Sequence, residues 1–436
     1  MADMFDYLDW YGDFGYDVVP FNEVDNLILS QLSYVDLTNI VPPLPQGVLV
    51  SDTRKAADLT ELGVGYPLPP SVSVSQAAEA YEKLHPADNP EDLGPLLSKR
   101  TRTLLGYMAK GKRYAGARLS CYAENMDPDT HEQFGAVTIS LPDGGTFVSF
   151  RGTDDSLVGW IEDCETSYRI VPSQTDALAY LDYVGLHTAG PLQVGGHSKG
   201  GNLAAYASSR CKREIQDRIT HIWCNDSPGF EDSVAPLSSF DCVRDRISFF
   251  TPEYSVVGSI LSQVVEPVIV VSNGNRVMEH SATNWQVMRG SLIRGAGYRE
   301  ASLRIREAFA HLVDSHDLEG RKKLLDGWYA SLTERGINSM TDMFATGFNG
   351  VAAAMGSITA LEDDDRDAMS TFLFGVMNGA VVGEMNETVS ETVAPAARQI
   401  SENIGDALSA MGKNAREFME NLADKRKGKP DHDDNV

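Results

Sequence analysis

The stretch VGGHSKGGNLAA (Val194–Ala205) contains a Gly-x-Ser-x-Gly pattern, with Gly196, Ser198 and Gly200 at its fixed positions. An apolar run precedes the pattern, and small residues that can pack on a sheet follow it. This order is typical of a buried strand that enters a helix through a very tight turn, with the serine at the strained tip. We therefore interpret Ser198 as a candidate nucleophile.

A nucleophilic serine needs a base, and in a strand–turn–helix arrangement of this kind the base is a histidine that follows the acid along the chain. The histidines after Ser198 are His221, His280, His311, His316 and His432. Among them, His280 follows the last strand-like run, 267–271, after the turn Ser272–Asn275. We predict that His280 is the base.

Two carboxylates qualify as the acid that orients this histidine. Asp226 follows the strand-like run 221–225, and Glu253 follows the run 247–250. Both positions are carboxyl ends of strands and respect the chain order nucleophile, acid, histidine. Asp226 is the preferred acid and Glu253 the alternative.

An oxyanion hole needs one N–H donor after the nucleophile and one from an earlier loop. The backbone N–H of Lys199 supplies the first. The strand Phe147–Phe150 leads into a polar loop, in which Thr153 is the candidate for the second donor, through its backbone N–H and its hydroxyl.

Short β-branched runs alternate with helical stretches from about residue 97 to 290, which predicts an α/β domain with a mostly parallel sheet. Two of the runs, 135–140 and 146–150, flank Pro142–Gly145 and predict a hairpin. Strand signals stop after about residue 290.

We divide the chain into a catalytic domain over 1–300, a helical region over 301–423 and a disordered tail over 424–436. Within the first unit, the polar segment 51–95 is interpreted as an insertion or lid. Within the second, the uncharged stretches 343–361 and 368–383 predict buried helices or, alternatively, a membrane-inserted hairpin, and 404–422 predicts an amphipathic helix.

The composition narrows the partners of the protein. With 37 Lys and Arg against 62 Asp and Glu, the formal net charge is −25, so nucleic acid and anionic lipid should repel the chain. Five scattered cysteines without a Cys-x-x-Cys pair indicate a reducing compartment and no metal site. The acidic N-terminus lacks the features of a signal peptide, so we expect a cytoplasmic protein.

The combination of Phe150-Arg151-Gly152-Thr153, Trp160 and Asp163 with the segment Gly196–Gly201 resembles the class 3 lipases of the α/β-hydrolase superfamily. An uncharacterised bacterial lipase-like branch is more similar still. The segments that carry this second resemblance are Asp6–Leu27, Asp226–Phe230 and the pair His280 and Trp285.

The resemblance implies an α/β-hydrolase fold, with Ser198 as nucleophile, His280 as base and Thr153 as an oxyanion donor. One departure concerns the acid, because class 3 lipases carry it in an Asp-x-Val-Pro element, and the matching stretch Tyr254–Gly258 has a serine near that place. A second departure is Lys199, which replaces a common leucine. Its cation could attract an anionic acyl group or headgroup, but we expect its side chain to pair with a surface carboxylate.

These observations predict a serine hydrolase that cleaves carboxylic esters through an acyl-enzyme, without cofactor or metal, on a small acyl ester or lipid. A thioesterase or amidase would use the same residues. The alternative from a different class is a non-catalytic or membrane-associated scaffold with a hydrolase-like fold. Membrane contact is not the favoured reading, and the oligomeric state is left open.

Overall fold

The computed structural model describes residues 1–51, 70–86, 98–339, 341–342, 356–358, 361–362 and 364–373. The predicted amphipathic helix 404–422 and tail 424–436 therefore lie outside the described residues. So do most of the two uncharged stretches and about half of the segment 51–95, so the lid and the membrane hairpin stay predictions.

The strands form one large sheet and one small hairpin. They are β1 (Val72–Ser73), β2 (Arg118–Asp127), β3 (Glu132–Ser140), β4 (Thr146–Phe150), β5 (Leu192–His197), β6 (Ile219–Asn225), β7 (Ile247–Pro252), β8 (Val268–Val270), β9 (Val287–Met288) and β10 (Ser291–Leu292).

The α-helices surround the large sheet. They are α1 (Met4–Tyr11), α2 (Glu23–Leu32), α3 (Val74–Leu84), α4 (Leu104–Lys110), α5 (Lys112–Ala115), α6 (Leu157–Glu165), α7 (Pro172–His187), α8 (Lys199–Arg210), α9 (Arg213–Gln216), α10 (Glu300–Asp314) and α11 (Leu318–Glu334). Short 3-10 turns lie at Lys99–Thr103, Leu237–Phe240, Arg244–Arg246, Val257–Ser259, Arg276–Glu279 and Ala282–Asn284.

The large sheet has eight strands in the order of the sequence, β1 to β8. Neighbours from β1 to β4 pair antiparallel, and neighbours from β4 to β8 pair parallel. The predicted hairpin is confirmed as β3 and β4, with Ser140 opposite Thr146. The prediction of an α/β domain with a mostly parallel central sheet and flanking helices is also confirmed.

Alternation along β4 shows how the sheet separates two cores. Phe147 faces a cluster built by α1, α2 and α4, whereas Val148 faces a cluster built by α7 and α8. A third cluster joins α6 to α10, α11 and the helical segment 364–373. Within the described residues, no helix combines the length and the apolar character needed to cross a bilayer.

Helix α2 places the N-terminal segment against the middle of the sheet. Its start is set by Asn22, whose side chain accepts from the N–H of Val24 and Asp25 while the Asp25 carboxylate accepts from the Asn22 N–H. The Ser149 hydroxyl of β4 donates to the Leu29 carbonyl at 2.8 Å. Residues from α2 thereby reach the central strands that carry the candidate site.

The ion pair of Asp25 and Arg113 is fully buried beside these helices, and Arg113 Nε donates to Asp25 Oδ1 at 2.7 Å. Arg113→Met would leave the Asp25 carboxylate buried without its cation, so we expect a loss of about 3–5 kcal/mol in the free energy of unfolding. Urea unfolding measures this loss. The control Arg304→Met breaks an exposed pair with Glu300 and should lose less than about 1 kcal/mol; equal losses would contradict the prediction.

Candidate active site

Ser198 lies in the sharp turn between β5 and α8, with φ 58° and ψ −135°. Positive φ is rare for a residue with a side chain and stores strain. Glycines on both sides make the turn sterically feasible: a Cβ on Gly200 would lie 2.1 Å from the Phe150 carbonyl oxygen, and one on Gly196 would lie 2.3 Å from the Gly200 backbone. The Ser198 N–H donates to the Asn225 carbonyl at 2.9 Å, which ties the turn to β6.

His280 and Asp226 are in direct contact. His280 Nδ1 lies 2.6 Å from Asp226 Oδ2, and the Asp226 side chain is fully buried. A carboxylate only accepts hydrogen bonds, so the proton of the neutral imidazole is on Nδ1 and the lone pair is on Nε2. This is the tautomer that a general base facing a serine requires.

The second oxygen of Asp226 is held by two hydroxyl groups. Asp226 Oδ1 accepts from Thr251 Oγ1 at 2.7 Å and from Ser255 Oγ at 2.6 Å. Ser255 is the serine that stands near the acid's place in the class 3 pattern. It contacts the carboxylate that the preceding parallel strand provides.

Glu253, the alternative acid, is engaged elsewhere. Its Oε1 accepts from the Ala296 N–H at 3.1 Å, and its Oε2 lies 3.6 Å from Arg299 Nη2. The structure thus brings Asp226, and not Glu253, to His280.

The candidate base packs against the residue before the candidate nucleophile, since the rings of His197 and His280 lie 4.5 Å apart. Among the described residues, neither Ser198 Oγ nor His280 Nε2 has a hydrogen-bond partner. Ser198 is only 4% exposed. Catalytic hydrogen bonds often tighten only once substrate is bound, so this geometry is compatible with a triad before binding.

His197, directly before Ser198, connects the base to the N-terminal segment. Its Nε2 lies 2.7 Å from the His280 carbonyl oxygen, and its Nδ1 lies 3.0 Å from the Tyr34 hydroxyl. Because a carbonyl only accepts, Nε2 donates and Nδ1 accepts from Tyr34. Burial lowers the pKa of His197 well below its usual value, so this imidazole is neutral beside His280.

Thr153 follows β4, and its hydroxyl donates to Asp163 Oδ2 at 2.6 Å. The other oxygen of Asp163 is buried and has no partner among the described residues. Burial raises the pKa of Asp163 to about 6, against the opposing effects of the Lys199 charge and the Thr153 hydroxyl. This carboxyl therefore changes charge just below neutral pH.

The backbone N–H and the side chain of Lys199 point to different parts of the structure. Its N–H is at the first turn of α8, where no intrahelical acceptor exists. Its side chain runs into the interior, where Nζ lies 2.7 Å from Glu162 Oε2. The expected surface partner was wrong, because the glycine turn directs the start of α8 towards the buried face of β3 and α6.

Three contributors to the site escaped the sequence reasoning: Tyr34, His197 and the hydroxyl pair Thr251 and Ser255. His197 stood inside the Gly-x-Ser-x-Gly pattern, and Ser255 stood at the place where the class 3 acid was missing. For Tyr34 and Thr251 no local pattern signals a role.

Asp163 offers a test of the electrostatics of the site. Folding raises its pKa, so the unfolded chain loses this proton first and stability falls as pH rises through about 4 to 6. Asp163→Asn removes this titration. In urea titrations, we compare the unfolding free energy of Asp163→Asn with that of wild type at two pH values. We expect the difference, variant minus wild type, to be about 2 kcal/mol more positive at pH 7.5 than at pH 4.5.

The control for this test is Asp9→Asn at an exposed position. Because the position is exposed, we expect its free energy of unfolding to stay within about 0.5 kcal/mol of wild type. A gain for Asp163→Asn that does not change with pH would contradict the raised pKa.

Comparisons with known proteins give one family and one structure. No curated protein matched the chain. A solved structure described as the crystal structure of M37 lipase is similar with a TM-score of 0.28 and 12% identity, over 55% of this chain and 70% of that chain. A family model described as Mbeg1-like matches residues 108–330, just over half of the chain, which includes Ser198, Asp226 and His280. The chain belongs to the Mbeg1-like family.

Proposed function

We propose that the protein is a lipase-like serine hydrolase of the α/β-hydrolase fold, which cleaves carboxylic esters with Ser198, His280 and Asp226. The observation that carries the proposal is the 2.6 Å contact of His280 Nδ1 with Asp226, in a histidine that packs against the residue before Ser198, which itself occupies a strained strand-to-helix turn. Both arise from the part of the chain that matches the lipase-like Mbeg1-like family.

Each residue has a defined task in the proposed reaction. Ser198 Oγ attacks the acyl carbon while His280 Nε2 takes its proton, and Asp226 stabilises the imidazolium that forms. The tetrahedral intermediate collapses, and His280 returns the proton to the leaving alkoxide. Water, activated in turn by His280, then hydrolyses the acyl-enzyme and releases the acid.

The negative charge of the intermediate needs donors that are in place before the reaction. The N–H groups of Lys199 and Thr153 are suited to this task. Among the described residues, the Thr153 N–H has no acceptor, and the Lys199 N–H is an orphan donor at a helix start. The Thr153 hydroxyl, which the sequence also offered as a donor, gives its only proton to Asp163, so the backbone N–H is the Thr153 donor in this proposal.

An acyl ester or lipid is the proposed substrate class. The same triad and oxyanion hole could cleave thioesters and amides. Relative rates on the three substrate types, and not the geometry of the site, would therefore identify the bond that is cleaved. The reaction uses protein groups and water throughout, so no cofactor enters the proposal.

The nucleophile is tested with a fluorophosphonate probe in the presence of mild detergent, which aids access to the nearly buried serine. We expect wild type to be labelled and to hydrolyse p-nitrophenyl esters, and Ser198→Ala to do neither. Ser208→Ala changes a buried serine of α8 whose hydroxyl has no partner among the described residues, so it should be labelled like wild type. An unlabelled wild type would favour a non-catalytic scaffold.

The acid is tested by a pair of amide variants. Asp226→Asn should lower kcat/KM by about 10³- to 10⁴-fold, because the amide no longer favours the His280 tautomer with its lone pair on Nε2. Glu253→Gln alters a carboxylate that does not contact His280. Its kcat/KM should stay within about threefold of wild type, because the change removes no interaction with the transition state. The reverse order of the two variants would exclude Asp226 as the acid.

A further inference from the structure

The side chain of Lys199 is among the largest fully buried side chains of the described residues. Its three N–H donors meet the Gln133 carbonyl at 2.7 Å, Gln133 Oε1 at 2.9 Å and Glu162 Oε2 at 2.7 Å. Replacing a buried ion pair by apolar residues is often neutral for stability. The contribution that distinguishes this network is therefore that it holds the side chains of Gln133 and Glu162 in fixed positions.

Gln133 links Lys199 to the loop after β4 that contains Gly152 and Thr153, which we call the oxyanion loop. Its Nε2 donates to the Gly152 carbonyl at 3.4 Å. Gly152 C=O and Thr153 N–H belong to one planar trans peptide, in which the two groups point in opposite directions. Holding the carbonyl on Gln133 therefore directs the Thr153 N–H away from it, towards the opposite side of the loop.

Glu162 forms the second branch of the same network. Its carboxylate also accepts from the N–H groups of Gln133 and Ser173, both at 3.0 Å, which anchors α6 to β3 and to the start of α7. The next residue on α6 is Asp163, which accepts from the Thr153 hydroxyl. Both the backbone and the side chain of Thr153 are thus connected to the Lys199 ammonium.

We propose that Lys199 is a positioning residue of the oxyanion hole: through Gln133 and Glu162, its buried ammonium holds the Thr153 N–H in register with the N–H of Lys199 itself. One residue then supplies a donor with its backbone and aligns the other donor with its side chain. This inference rests on the proposed ester hydrolysis.

Gln133→Leu gives the sharpest test, because it removes the link to Gly152 and leaves the Lys199–Glu162 pair in place. The measurement compares a p-nitrophenyl ester with its thionoester, in which sulfur replaces the carbonyl oxygen and accepts hydrogen bonds poorly. We expect kcat on the ester to fall about 10- to 100-fold with KM within about threefold of wild type. The rate on the thionoester should barely change, so the preference for the ester falls by the same factor.

A second variant removes both buried charges together. Lys199→Met with Glu162→Gln removes both members of the pair, so neither is left buried without the other, and the double variant should lose the ester preference as Gln133→Leu does. Gln216→Leu is the matched control, since Gln216 is a buried glutamine bonded to the Ser208 and Ser209 carbonyls, away from the oxyanion loop. It should keep the wild-type preference.

The outcomes distinguish the positioning role of Lys199 from the proposed ester hydrolysis. The positioning role alone is overturned if wild type is active and Gln133→Leu keeps the wild-type ratio of ester rate to thionoester rate. This includes the case in which the variant is slower on both substrates by the same factor. A wild type that is neither labelled by the fluorophosphonate nor active on either substrate overturns the proposed function, and the positioning role with it.

Discussion

The candidate site depends on a close backbone contact between the start of α8 and the end of β4. Gly200 lies so near the Phe150 carbonyl that no side chain fits between them, and the Ser198 backbone adopts positive φ to make the connection. This contact places the Lys199 N–H beside the loop that carries Thr153. The other features of the site are arranged around a turn whose own geometry is strained.

The proposed acid illustrates how neighbouring parallel strands can supply alternative side chains to one histidine. The carboxyl ends of β6 and β7 lie side by side, so a carboxylate from either strand can reach the same histidine. Here Asp226 directly follows β6, and the segment after β7 supplies Ser255, whose hydroxyl donates to that carboxylate. The departure from the class 3 pattern is therefore a change in which strand supplies the charge and which supplies the hydroxyl.

Local patterns predicted the β3–β4 hairpin and the parallel strands, which the structure confirms, because each depends on turn chemistry or on alternation within a few residues. The same patterns proposed Ser198 and His280 as site residues, and these stay proposals. The choice between Asp226 and Glu253 needed the direction of two side chains that leave adjacent strands. The partner of Lys199 was misjudged for a similar reason: residue type predicts a charge, but only the course of the turn shows that the charge is buried. Tyr34 reaches His197 across 163 residues, a distance that no local pattern spans.

The same long connection has a consequence for synthesis. Helix α2 is made early, yet Asn26 bonds to Asn225, which lies 199 residues later. At about 5–20 residues per second, the ribosome needs roughly 10–40 s to deliver that partner. Until then the apolar side chains of α2, Leu27, Ile28 and Leu29 among them, lack part of the sheet that buries them, including Trp223 of β6. Closure over so long a loop is also slow. The nascent chain thus passes through a stage in which α2 exposes an apolar surface that a chaperone can bind.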